Sequence, residues 1–137
     1  VLEIGTGSGF LTACLARLGG VVTSYEILPT LSESAARRLD AMELRNMELV
    51  AGDGLHASLA PETFKVIAVT GSLPEQPSFL EDLLAPGGRM FLVVGEEPTM
   101  TAKLVSRNAD GELWRENLFE TVLPALHNAP KFERFTF

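Results

Sequence analysis

The segment Glu3-Ile4-Gly5-Thr6-Gly7-Ser8-Gly9 constrains this chain more than any other. It follows the apolar Val1-Leu2 and leads into Phe10-Leu11-Thr12-Ala13. Glycines placed directly after a strand permit a tight turn and let the backbone approach a ligand closely. The helix that follows then presents unpaired N–H groups and a partial positive charge at its start. A strand, a glycine turn and a helix in that order form the opening unit of an α/β sheet with a ligand crevice at its strand tips.

The rest of the chain continues the alternation. Residues 1–4 read as a strand and 10–18 as a helix with Leu11, Leu15 and Leu18 on one face, stopped by Gly19-Gly20. Residues 21–26 form the second strand. Pro29 suits the first turn of a helix in which Leu28, Leu31, Ala35, Leu39 and Met42 recur at helical spacing. A third strand covers 47–51, and residues 55–63 make an irregular crossover to a fourth strand at 65–70. Pro77 opens a helix carrying Phe79, Leu80, Leu83 and Leu84, and Pro86-Gly87-Gly88 ends it. The apolar run at 90–94 suits a strand covered on both faces. Residues 101–107 and 112–123 flank Asn108-Ala109-Asp110-Gly111 and read as an antiparallel hairpin. The tail at 124–137 is expected to be packed coil or a short edge strand. The whole implies one domain over 1–137: α/β, Rossmann-like and doubly wound, with a mostly parallel sheet and a C-terminal antiparallel hairpin. Because a buried strand seldom begins at the first residue, the chain is expected to be a fragment with sequence missing ahead of Val1.

Charge and composition narrow the function. The 11 basic residues against 18 acidic ones, without a Lys/Arg cluster, argue against a nucleic-acid partner. No apolar run approaches the ~20 residues that span a bilayer, so no membrane role is expected. The single Cys14 forms no internal disulfide, which suits a reducing cytoplasm. His56 and His127 lie far apart in the sequence, with only one cysteine in the chain, and give no metal site by spacing.

Spacing discriminates between ligands. The dinucleotide fingerprint Gly-x-Gly-x-x-Gly would need glycine at position 10, where this chain has Phe10. Glycines at 5, 7 and 9 behind the acidic Glu3 resemble the loop of class I methyltransferases. Glu26 ends the second strand, beside Ile27. An ionised carboxylate there accepts hydrogen bonds from both hydroxyls of a ribose. Asp53, between Gly52 and Gly54 after the third strand, can accept from an adenine amino group, although a plain Asp-Gly turn is also common. These features occupy successive strand ends, which face one crevice in such sheets.

The stretch 1–13 resembles the glycine motif of the protein-L-isoaspartate O-methyltransferase family. Val50-Ala51-Gly52-Asp53-Gly54, Val66-Ile67-Ala68-Val69-Thr70-Gly71 and Leu84-Ala85-Pro86-Gly87-Gly88-Arg89 resemble its later motifs. The resemblance covers about residues 1–95 well and the remainder weakly. It implies S-adenosylmethionine as cofactor, S-adenosylhomocysteine as product, and a protein or peptide substrate methylated on an isoaspartyl carboxylate. Glu3, Gly5, Thr6, Gly7, Ser8, Gly9, Glu26, Ile27, Asp53 and Gly54 are then expected to bind the cofactor. Thr70 and Gly71 are expected on the substrate side, or else as simple turn residues. The family's active-site segment lies ahead of the glycine motif, so its catalytic residues have no counterpart here. After Thr70 the chain departs from the family's usual alanines with Gly71-Ser72-Leu73-Pro74, and its tail differs too. A non-catalytic S-adenosylmethionine-binding module and, less favoured, a nicotinamide-dependent oxidoreductase are the alternatives. Cys14 is expected in the core, His56 in a loop that could border the adenine, and Trp114 packed on the sheet.

Overall fold

A computed structural model describes residues 1–130. Its framework is a seven-stranded sheet in the order β3-β2-β1-β4-β5-β6-β7. The strands are β1 Leu2–Ile4, β2 Val22–Glu26, β3 Met47–Ala51, β4 Phe64–Leu73, β5 Leu84–Glu96, β6 Thr99–Arg107 and β7 Leu113–Thr121. The first five run parallel, and β6 and β7 are antiparallel additions. The helices are α1 Phe10–Arg17, α2 Pro29–Asp40 and the single turn α3 Ser78–Glu81. The strand order reverses direction at β1 and β4, which puts the ends of both at a topological switch point. No helix among the described residues is long and apolar enough to cross a membrane.

The core lies on the central strands, where Leu2, Ile4, Ile67, Val69, Leu84, Met90 and Leu92 are buried together. Helix α1 packs differently from its apolar pattern. Thr12, Ala13 and Ala16 are the buried residues, whereas Leu11 and Leu18 are exposed and Cys14 is half-buried. Small side chains bring α1 close to the sheet, and the bulky leucines have no room beneath it. On α2, Ser32, Ala35 and Leu39 face inward, while Leu28, Leu31 and Met42 are exposed.

Two elements extend past their sequence-based bounds. Strand β4 continues through Gly71-Ser72-Leu73, because Ser72 and Leu73 pair with Val93 and Val94 of β5. The helix predicted after Pro77 is only one turn long. Leu84 already begins β5, and Pro86-Gly87-Gly88 lies inside that strand instead of ending a helix. The pairing steps from Phe64↔Leu84 to Val66↔Arg89, so 85–88 bulge out. A bulge accommodates a proline that has no N–H to give the ladder. There Lys65 Nζ donates to the Pro86 carbonyl. A second polar knot ties α3 to the antiparallel strands. Buried Glu81 receives Arg115 through Nε at 2.8 Å and Nη2 at 2.6 Å, and Gln76 Nε2 at 2.6 Å. Burial raises the Glu81 carboxyl, but these donors more than offset it and leave it below its ordinary value. Trp114, expected to pack on the sheet, is exposed on β7.

The tail enters the sheet in part. Ser72 N–H donates to the Pro124 carbonyl at 2.9 Å, and Leu126 N–H donates to the Ser72 carbonyl at 3.0 Å. This is a one-residue parallel bridge between Ser72 and Ala125. Strand β1 ends its pairing with β4 at Ile4↔Val69, and β5 holds the other side of β4. The tail therefore lies in line with β1, beyond its glycine end, and not at a sheet edge. The Phe-rich end of the tail lies outside the described residues.

Candidate functional site

A cleft of about 330 Å³ opens at the C-terminal tips of β1, β2, β3 and β4. Ligand pockets start at about this size. Of the residues predicted to bind, Gly5, Gly7, Glu26, Ile27, Asp53 and Gly54 line it, and so do Thr70 and Gly71. Sequence reasoning missed Ile4, Tyr25, Leu28, Leu31 and Gly52, together with Pro124–His127 of the tail. Leu28 and Leu31 had a readable signal. They continue the apolar stripe of α2, but beyond the strand ends, where that stripe forms the cleft wall.

Four predicted residues lie elsewhere. Glu3 is fully buried beneath the loop, where its Oε2 accepts from Thr12 Oγ at 2.5 Å and Ser24 Oγ at 2.6 Å. Its position in a three-residue strand with every residue buried turns it into the sheet, not toward the cleft. Thr6 is buried against Ser24, with the two hydroxyls 2.6 Å apart. Ser8 is exposed, its Oγ accepting from Phe10 N–H at 3.3 Å and its carbonyl from Arg38. Gly9 caps the start of α1, and a Cβ there would meet Leu39 Cδ1 at 3.1 Å. Its smallness serves helix packing.

Burial raises the Glu3 carboxyl, the Ser24 and Thr12 donors reverse this only in part, and the Glu26 charge adds to it. The folded state thus holds the Glu3 proton to higher pH than the unfolded chain does. The contribution of Glu3 to stability falls as pH rises from the ordinary 4.5 through the raised folded value. Glu3→Gln removes this titration and keeps the shape. The melting temperature of the variant, relative to the parent, is expected to climb with pH across that window. A pH-independent difference in thermal unfolding would contradict the assignment.

Glu26 is the best-placed acceptor. Its Oε2 takes the Gly7 N–H at 2.8 Å and its Oε1 takes the Leu28 N–H at 3.0 Å. One carboxylate thus clamps the glycine loop to the entry of α2. A carboxylate has about four acceptor positions, so two remain for a ligand. Thr70, on β4, has its Oγ 3.0 Å from the Ile4 carbonyl and 2.5 Å from the Gly5 carbonyl. It braces the loop from the other side.

At the far end, Asp53 Oδ1 accepts from Leu55 N–H at 2.9 Å. Asp53 Oδ2 lies 2.7 Å from His56 Nδ1 and accepts from Asn128 Nδ2 at 3.2 Å. Burial raises the Asp53 carboxyl, but the donors from His56, Asn128 and Leu55 outweigh it, and the net direction is down. A Cβ on Gly54 would meet Tyr25 Cβ at 2.8 Å, so close packing on Tyr25 already requires glycine there. A Cβ on Gly71 would meet Leu126 Cδ2 at 2.7 Å, because the tail crosses that residue.

Beyond the tail lies a larger cavity of about 870 Å³, bordered by Ser72, Pro74, Glu96, Glu97 and Met100. Pro124, Ala125, Leu126 and His127 border both spaces. The tail is therefore the partition between a cleft lined with ribose- and base-type acceptors and a roomier second space.

Known proteins resemble this chain in sequence and fold. The model of the family protein-L-isoaspartate(D-aspartate) O-methyltransferase matches residues 1–128. The protein-L-isoaspartate O-methyltransferase of Anaeromyxobacter dehalogenans (strain 2CP-1 / ATCC BAA-258) is 48% identical over 113 residues, which is 81% of this chain and 54% of that protein. The one from strain 2CP-C is 44% identical over 133 residues, covering 95% of this chain and 64% of that protein. The chain thus spans a little over half, to nearly two thirds, of the length of these relatives. A solved protein-L-isoaspartate O-methyltransferase matches with a TM-score of 0.79 at 28% identity, over 93% of this chain and 41% of that one. A Plasmodium falciparum structure containing S-adenosyl-L-homocysteine shares the fold with a TM-score of 0.79 at 21% identity, over 91% of this chain and 64% of that one. With the family model spanning the strands, the glycine loop and the start of the tail, the chain belongs to the protein-L-isoaspartate(D-aspartate) O-methyltransferase family.

Proposed function

We propose that the cleft binds S-adenosylmethionine, and that the protein transfers its methyl group to the isoaspartyl carboxylate of a protein or peptide. The observation that supports this reading most is the convergence of Gly5 and Gly7, Glu26, and Asp53 on one cleft in ligand order. The residues fit such a ligand. Glu26 has two acceptor positions left for ribose hydroxyls, Asp53 offers an acceptor for an adenine amino group, and Ile4, Ile27 and Leu31 give the rings apolar walls.

The cofactor, when bound, supplies an activated methyl on a sulfonium. The chain's own work is then alignment. Thr70 and Glu26 fix the loop from two sides, and the tail partition admits an acceptor only where the two cavities adjoin. Alignment dominates an in-line displacement. A carboxylate nucleophile is already ionised at neutral pH, with an ordinary pKa of ~4, so this reaction needs no general base. Gly5, Gly7 and Glu26 would hold the cofactor, which would supply the methyl group to the acceptor carboxylate. The lone Cys14 fits a reducing cytoplasm.

Calorimetric titration of this chain with S-adenosylmethionine, S-adenosylhomocysteine and NAD tests the first half. Saturable binding of the first two and none of the third is expected. Labelled methyl transfer to an isoaspartyl peptide by the full-length protein tests the second. Binding without transfer would keep the cofactor site and overturn the acceptor.

A further inference from the structure

We infer that Asn128 is a gate residue at the nucleobase end of the cleft: its carboxamide holds the tail down by occupying the Asp53 oxygen that an adenine amino group would use. This rests on the cofactor reading above. The case begins with acceptor positions on Asp53. Each carboxylate oxygen offers about two. On Oδ2 one is taken by His56 at 2.7 Å and the other by Asn128 at 3.2 Å. Oδ1 holds the Leu55 N–H and keeps one position, so Oδ2 is the oxygen whose positions are both taken. The Asn128 bond is the longest of the three and the only one that spans the chain, linking the tail to the end of β3.

The backbone is shaped for this contact. Asn128 sits at φ +59, a conformation that asparagine adopts more readily than most residues. Ala129 N–H closes a turn onto the Leu126 carbonyl at 3.3 Å. The turn brings the carboxamide to Asp53 from the side of the larger cavity, which Asn128 lines, and seats Leu126 over Gly5 and Gly71. A ligand amino group that takes Oδ2 displaces the carboxamide and loosens the turn at 126–129. The apparent affinity is therefore reduced by the fraction of molecules that are latched.

Asn128→Gly tests this, because glycine keeps the turn comfortable and removes only the carboxamide. Two readouts are needed, both on the chain as it stands. In the ligand-free protein, hydrogen exchange of the Leu126 amide is expected to speed up severalfold. Affinity for S-adenosylhomocysteine is expected to tighten about three- to tenfold, the scale of one net hydrogen bond, mainly through faster association. Asn128→Asp, which sets a second carboxylate beside Asp53, is expected to act in the same direction. Unchanged exchange overturns the latch whatever the affinity does. Faster exchange with equal or weaker affinity overturns the gate, since Asn128 would then hold the tail without competing. Failure of the unaltered chain to bind S-adenosylhomocysteine would sink the cofactor reading and with it the competition, while exchange would still decide whether Asn128 holds the tail.

Discussion

Gly5→Ala is expected to abolish cofactor binding and to destabilise the chain by about 2–4 kcal/mol, whereas Gly7→Ala costs only about 1 kcal/mol and leaves binding measurable. The two glycines look equivalent in the motif but sit in different surroundings. Gly5 has φ +99, and a Cβ there would run into Thr70 Oγ. That hydroxyl cannot retreat without giving up the Ile4 and Gly5 carbonyls. Gly5 N–H also donates to the Tyr25 carbonyl at 2.9 Å, which fixes the peptide from below. A side chain must therefore break the brace, shift β1 against β4, or both. Gly7 has φ +55 with nothing within 4 Å of a Cβ. It lies in the left-handed region that other residues enter at modest cost, and its N–H can still reach Glu26. Denaturant unfolding and calorimetry on both variants would decide. Equal losses, or a larger loss for Gly7→Ala, would mean the loop is held by something other than Thr70.

That asymmetry was not legible in the sequence, and the reason is general to this chain. Local signals set the first three strands to within a residue, because glycines punctuate them: Gly5 after β1, Gly19-Gly20 before β2 and Gly52 after β3. What failed depended on partners far away in sequence. Thr12 and Ala16 are buried on α1, in place of Leu11 and Leu18, because the helix sits tight against the sheet and Thr12 serves Glu3. Strand β5 runs through Pro86-Gly87-Gly88 because β4 tolerates a bulge opposite Lys65. The tail joins β4 only because β1 stops at Ile4 and leaves the side of Ser72 open. Glu3 was the most misleading residue, since an acid before a glycine loop reads as a ligand group. The available clue was its setting: an acid between Leu2 and Ile4, in a strand too short and too apolar to face solvent. By contrast, Glu26 and Asp53 were readable because the last residue of β2 and the turn just after β3 are carried to the sheet's C-terminal edge whatever the packing does.

Glu26→Gln is expected to weaken S-adenosylhomocysteine binding by about 100-fold or more while the chain stays folded. Glu26 uses one oxygen for the Gly7 N–H and the other for the Leu28 N–H. An amide has only one acceptor oxygen, so glutamine must turn its NH2 group toward one of those two donors. The loop or the start of α2 then loses its anchor, and the cleft loses acceptor positions for the ribose. Hydrogen bonds to a charged group are worth about 1.5–3 kcal/mol each, and two such losses amount to at least 100-fold at about 1.4 kcal/mol per factor of ten. Glu33→Gln on the exposed side of α2 makes the same change in net charge without touching the cleft, and affinity there should stay within about twofold, since exposed charges are strongly screened. S-adenosylmethionine carries a sulfonium charge and S-adenosylhomocysteine does not. If Glu26 acts by hydrogen bonding to the ribose, the variant loses affinity for both by nearly the same factor. A loss confined to S-adenosylmethionine would place Glu26 opposite the sulfonium instead, and a loss under about threefold for both would remove it from the ligand altogether.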